Sequence, residues 1–175
     1  MAGLWAGLPG PRWEGRSRWV PGKPGGRTMR TARRVMAGDN KPREWLRGIR
    51  ASGPNVFPKN TTIVAAAASG EIDVGFVNHY YLYRFIQENG EGFPARNHYL
   101  TDGGPGSLVM VAGAGILETS SNRESAERFI RFMLSRVAQQ YFAAQTFEYP
   151  LVDGVRTNRL LPPLEEVNSP QIDMV

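Results

Sequence analysis

The chain reads as an α/β domain, because helical patterns alternate with a run that is apolar on both faces. That run is Ile72–Val77, apolar apart from Asp73, as expected of a strand buried in a parallel sheet. The helical stretches on either side place apolar residues at three- and four-residue spacing and end on glycines.

Residues 1–28 are dense in Gly, Pro, Arg and Trp and follow neither period, so an irregular basic segment is expected over 1–35. The α/β unit is assigned to 36–155 and an irregular tail to 156–175. Asp39 or Asn40 can cap a helix with Pro42 in its first turn and Trp45, Leu46 and Ile49 on its apolar face. Gly53-Pro54 stops it. Asn60 or Thr61 can cap a second helix over Ile63–Ser69, closed by Gly70. The strand Ile72–Val77 then leads almost directly into a helix from about His79 to Gln87.

Further on, Leu108–Leu117 is an extended apolar segment interrupted by Gly113 and Gly115. Ser121-Asn-Arg-Glu124 has the form of a capping box. Behind it, Ala126, Phe129, Ile130, Met133 and Leu134 make an amphipathic stripe. Ser135 is expected to cap one more helix, carrying Val137, Tyr141 and Phe142, before a short extended piece over Phe147–Val152.

The 175 residues are 41% hydrophobic and 21% charged, proportions typical of soluble globular proteins. With no cysteine, disulfides, thiolate metal sites and cysteine nucleophiles are excluded. No apolar run approaches the ~20 residues that span a bilayer. No secretory signal is visible at the N-terminus. Residues 1–50 hold 12 Lys+Arg against three acids, and residues 51–175 hold nine against 13. A basic segment ahead of an acidic body could be a nucleic-acid or membrane arm, or simply a segment folded unlike the rest.

Chemistry concentrates at Tyr80 and Tyr81. They fall where strand becomes helix, and the carboxyl end of a strand is the usual ligand edge of an α/β sheet. A helix N-terminus favours negative charge, which helps a phenol towards phenolate. Phenolate is a hard anionic donor suited to a hard trivalent cation. The plain alternative makes both tyrosines amphipathic surface residues beside Tyr83, with Leu82, Phe85 and Ile86 supplying the core stripe. Asn78, at the strand end, is placed to cap the helix.

Other motifs carry less. His79 and His98, the two histidines, lack a carboxylate cluster at ligand spacing, and His79 is expected to point to solvent. Gly103-Gly-Pro-Gly106 has no lysine in P-loop position and reads as a turn. Gly113-Ala-Gly115 suggests close packing or a hinge. No grouping of Ser, His and Asp or of paired carboxylates indicates catalysis, so no enzyme is expected.

From about Glu44 to Val152 the chain resembles the C-terminal part of periplasmic ferric-iron-binding proteins of bacterial ABC transporters. The residues that carry this are Glu44-Trp-Leu, Pro58-Lys-Asn60, Gly70-Glu-Ile-Asp-Val-Gly75 and Asn78-His-Tyr-Tyr-Leu-Tyr-Arg84. Pro105-Gly-Ser-Leu108, Ala112-Gly-Ala-Gly-Ile-Leu117, Ala138-Gln-Gln-Tyr-Phe142 and Glu148-Tyr-Pro-Leu151 add to it. The resemblance implies one α/β lobe of a class II periplasmic-binding-protein fold, with C-terminal helices and the N-terminal lobe missing. It implies Fe³⁺ held by the phenolates of Tyr80 and Tyr81, and a synergistic anion placed by Asn60 and Asn78. It also implies a periplasmic monomer that serves an ABC permease in the inner membrane and binds no nucleic acid.

One departure stands out. Where the family has a Ser/Thr/Asn/Gly segment opening an apolar helix, this chain has Gly22-Lys-Pro-Gly-Gly-Arg-Thr-Met-Arg30, the composition expected of a shifted reading frame. The rival readings are the same fold binding a polyamine, thiamine or phosphorylated compound, a truncated fragment without function, and a basic nucleic-acid-binding module led by residues 1–50.

Overall fold

The computed structural model describes residues 13–19, 24–53 and 55–173. They divide into two compact units, Met1–Val109 with Glu165–Val175, and Met110–Leu164.

The first unit is built on a three-stranded parallel sheet of β1 (Ser17–Trp19), β2 (Asn55–Val56) and β3 (Val74–Gly75), in the order β2-β1-β3. Arg18 pairs with Asn55 on one side and with Gly75 on the other. The helices are α1 (Pro24–Ala37), α2 (Asn40–Ala51), α3 (Asn60–Ala68) and α4 (Tyr80–Asn89). Around β3 the side chains alternate as a pleat requires. Val74 and Phe76 pack against Trp45 and Ile49 of α2. On the other face, Val77 packs against Ile63, Ala66 and Ile72. A helix therefore covers each face of the strand, which is why the sequence reads as a continuous apolar run. Asp73, the exception in that run, is exposed and ion-paired with Arg16.

Gly75 shows how closely α3 lies on the strand. A Cβ there would come within 2.1 Å of Ile63 Cγ2. Only glycine fits without a shift of Ile63.

Three expectations need correction in this unit. The segment expected to be irregular over 1–35 carries β1 and most of α1. Pro24 stands at the first position of α1, where its missing N–H costs nothing, and Ala32 is fully buried eight residues on. Residues 1–12 and 20–23 lie outside the described residues, as does Pro54. The strand expected over 72–77 is paired only at Val74–Gly75, opposite Ser17 and Arg18 of β1. Phe76 to His79 therefore intervene before α4, where an almost direct junction was expected. Finally, Lys59 rather than Asn60 or Thr61 is the N-cap of α3, and it makes no side-chain capping bond.

The second unit contains α5 (Arg123–Met133) and α6 (Arg136–Tyr141), the latter continued by a π-helical turn over Phe142–Thr146. Ser135 caps α6 as expected, its Oγ accepting from the Ala138 N–H. The capping box does not form. Asn122 is the N-cap of α5 and makes no side-chain capping bond. Nor is the apolar stripe of α5 a core, because none of its residues is buried. Phe147, expected in an extended piece, takes a left-handed conformation (φ 58°) and is buried. Gln139 ties this unit together, donating to the Met133 carbonyl at 2.9 Å and accepting from the Leu151 N–H at 2.9 Å.

Candidate metal centre

Because the three strands are parallel and each is followed by a helix, the starts of α3 and α4 lie beyond the same carboxyl edge of the sheet. This is the edge where open α/β sheets take their ligands. Asn60 is the first residue of α3 and Tyr80 the first of α4. Asn78 and His79 lie between β3 and Tyr80.

Asn78 makes two bonds to the tyrosine pair. Its side-chain amide donates to the Tyr80 hydroxyl oxygen at 2.8 Å. Its carbonyl accepts from the Tyr81 backbone N–H at 3.2 Å. Asn78 does not cap α4 with its side chain, as the sequence suggested; His79 occupies the N-cap position, in helical conformation. One N–H of the amide goes to the phenol instead.

The two tyrosine rings lie together, with centroids 4.7 Å apart and planes inclined by 40°. Both residues are half-buried, so their rings are held by the protein while remaining open to solvent. Leu82 and Tyr83, the next residues of α4, turn into the core. Arg84, one helical turn further on, sets its guanidinium carbon 5.7 Å from the Tyr80 ring centroid and 5.9 Å from that of Tyr81. The sequence reading gave Arg84 no role. Its signal was the four-residue spacing from Tyr80, which places both side chains on one face of the helix.

His79 does not point simply to solvent. It is half-buried, its ring edge-on to Tyr80 at 5.5 Å and within 6.4 Å of the rings of Tyr83 and Tyr99. His98 is exposed. Among the described residues, no group of three or more His, Cys, Asp or Glu could hold a metal ion. Tyr80, Tyr81 and Asn78 are thus brought into contact, and Asn60 stands at the start of the helix packed beside theirs.

Gly103-Gly-Pro-Gly106 forms a short 3-10 turn over Pro105–Ser107, its Gly104 N–H bonded to Asp102. It is a turn, as its composition indicated. Among the described residues no helix is long and apolar enough to cross a membrane.

Known proteins match this chain along nearly its whole length. The model of the family described as bacterial extracellular solute-binding protein matches residues 4–171. The major ferric iron-binding protein of Neisseria meningitidis serogroup B is 29% identical over 163 residues, which cover 93% of this chain and 49% of that protein. Iron uptake protein A2 of Synechocystis is 31% identical, over 88% of this chain and 47% of its own. Iron-bound HitA from Pseudomonas aeruginosa superposes with a TM-score of 0.90 at 32% identity, across 97% of this chain and 55% of that structure. The chain spans about half the length of the curated relatives it matches. The architecture is that of the class II periplasmic binding proteins. With the family matched from residue 4 to residue 171 and the fold superposing over nearly every residue, this chain belongs to the bacterial extracellular solute-binding proteins.

Proposed function

We propose that this chain binds ferric iron as part of the substrate-binding component of a bacterial ABC importer. Tyr80 and Tyr81 supply two phenolate oxygens to the metal. Asn78 and Asn60 place a synergistic anion beside it, at helix starts where amides can meet negative charge. The observation that supports this reading is the pair itself: the two rings lie 4.7 Å apart beyond the carboxyl edge of the sheet, with the Asn78 amide donating to the Tyr80 hydroxyl oxygen. Iron-binding relatives of similar sequence support the choice of metal.

The donor set fits a hard cation. Phenolate oxygens suit Fe³⁺, while soft thiolate ligands are impossible in a chain without cysteine. Two phenolates leave most of an octahedral shell to an anion, to water or to groups supplied from elsewhere. The component works in the periplasm without covalent chemistry. It captures its ligand by hinge closure and presents it to an inner-membrane permease.

Ferric citrate added to the purified chain tests the assignment. Binding through phenolate gives a visible charge-transfer band, and the double variant Tyr80→Phe, Tyr81→Phe abolishes it. A band that survives in the double variant refutes the ligand assignment. Undiminished affinity for a polyamine, thiamine or a phosphorylated compound, with none for iron, moves the chain to another solute.

A further inference from the structure

We propose that Asn97 is a positioning residue for the tyrosine pair, an inference that rests on reading Tyr80 and Tyr81 as iron ligands. Helix α4 starts without a conventional cap. Its N-cap residue His79 makes no side-chain capping bond, and its dihedral angles (φ −54°, ψ −38°) are already helical. First turns held so loosely fray, yet this turn carries both phenols. Besides the Asn78 contacts, a tether reaches it from 18 residues further along the chain: the Asn97 side-chain amide donates to the His79 carbonyl at 2.9 Å. A carbonyl has two lone pairs, so this bond adds to the helical one.

The segment that delivers Asn97 is itself fixed. Leu100 packs against the Trp45 and Ile49 cluster. It also fills the space beside Gly106, where a Cβ would come within 2.3 Å of Leu100 Cδ1. Between these anchors, Tyr99 sets its ring 6.3 Å from that of His79 and its hydroxyl 3.1 Å from that of Tyr83. A continuous chain of contacts therefore runs from the core through Leu100, Tyr99 and Asn97 to His79, whose ring abuts Tyr80. Ligating side chains need supporting partners that hold them to within about 0.5 Å, and the loss of such partners weakens metal binding by about 10- to 100-fold.

Asn97→Asp tests this, because the side chain keeps its shape but the carboxylate cannot donate to a carbonyl. The experiment uses the full chain with ¹³C-labelled tyrosine, first without metal and then with ferric citrate as the probe. In Asn97→Asp and Asn97→Ala the ring resonances of Tyr80 and Tyr81 move, those of Tyr141 and Tyr149 stay, and Asn97→Gln restores the pattern in part. Ferric binding falls about tenfold in the same variants. Unmoved Tyr80 and Tyr81 resonances in Asn97→Asp overturn the proposal, whatever the iron data show. If the rings respond but the parent chain gives no charge-transfer band, the tether stands and the iron reading fails. Should Asn97→Asp fail to fold, Asn97→Ser, which shortens the donor beyond reach of His79, decides by the same resonances.

Discussion

The Asn78 side-chain amide reaches the Tyr80 hydroxyl oxygen at 2.8 Å, across a single intervening residue. Asn78 thereby selects one rotamer of Tyr80 while its carbonyl fixes the backbone of Tyr81. A single hydrogen bond of this kind contributes roughly 1 kcal/mol. Asn78→Ala is therefore expected to weaken ferric binding about fivefold, with the charge-transfer band shifted as the phenolate loses its donor. Titration with ferric citrate measures both. An unchanged band and unchanged affinity would mean that this contact has no part in holding the metal.

The close approach of α3 to β3 makes Gly75 intolerant of any side chain. Gly75→Ala would set its Cβ 2.1 Å from Ile63 Cγ2, and overpacking of this sort costs about 1–3 kcal/mol. Ile63→Ala alone should cost about 2–5 kcal/mol through the cavity it leaves. Because the added methyl of one variant occupies space vacated by the other, the double variant should lose less than the sum. Urea unfolding of the four proteins gives the coupling. Strict additivity would show that α3 can move away from the strand.

How far the sequence revealed this fold depended on the range of the interactions involved. Helices α2 and α3 could be read because their apolar spacing and their closing glycines, Gly53 and Gly70, are local signals. Both glycines take positive φ, which other residues rarely adopt. Helix α1 was hidden by its own first turn, where Pro24-Gly-Gly26 reads as a loop until the proline is placed at a helix start. The length of β3 was illegible for a different reason. Pairing is set by β1, more than 50 residues earlier and embedded in a Gly/Pro/Arg-rich stretch. At the candidate site, Tyr80, Tyr81 and Asn78 lie within four residues and declared themselves. The bond from Asn97 to His79 had no sequence signal at all.

Two serines that look alike in sequence should behave differently. Ser135 accepts from the Ala138 N–H at 3.3 Å and caps α6. Ser121 was expected to open α5, but the helix starts one residue later, with Asn122 at the N-cap and Ser120 Oγ accepting from its N–H. Ser135→Ala should lower stability by about 1 kcal/mol. Ser121→Ala should change it by less than about 0.5 kcal/mol, the range for surface sites. Thermal unfolding of the pair distinguishes the cap from its imitation, and equal losses would restore the capping box.

Helix α5 presents the same contrast on a larger scale. Phe129 and Phe132 are 60% and 55% exposed, while Phe147 in the same unit is 2% exposed. Burial of an aromatic side chain is what makes its truncation costly, so Phe147→Ala should lose about 3–5 kcal/mol. Phe129→Ala should lose less than about 0.5 kcal/mol. Exposed apolar side chains grouped on one helix also promote association, and the isolated chain is expected to be poorly soluble. Phe129→Asp combined with Phe132→Gln should raise the soluble fraction without lowering the unfolding midpoint, as sedimentation and urea titration would show. A loss of more than about 2 kcal/mol in Phe129→Ala would mean that this ring is covered in solution, since only desolvated side chains carry that much.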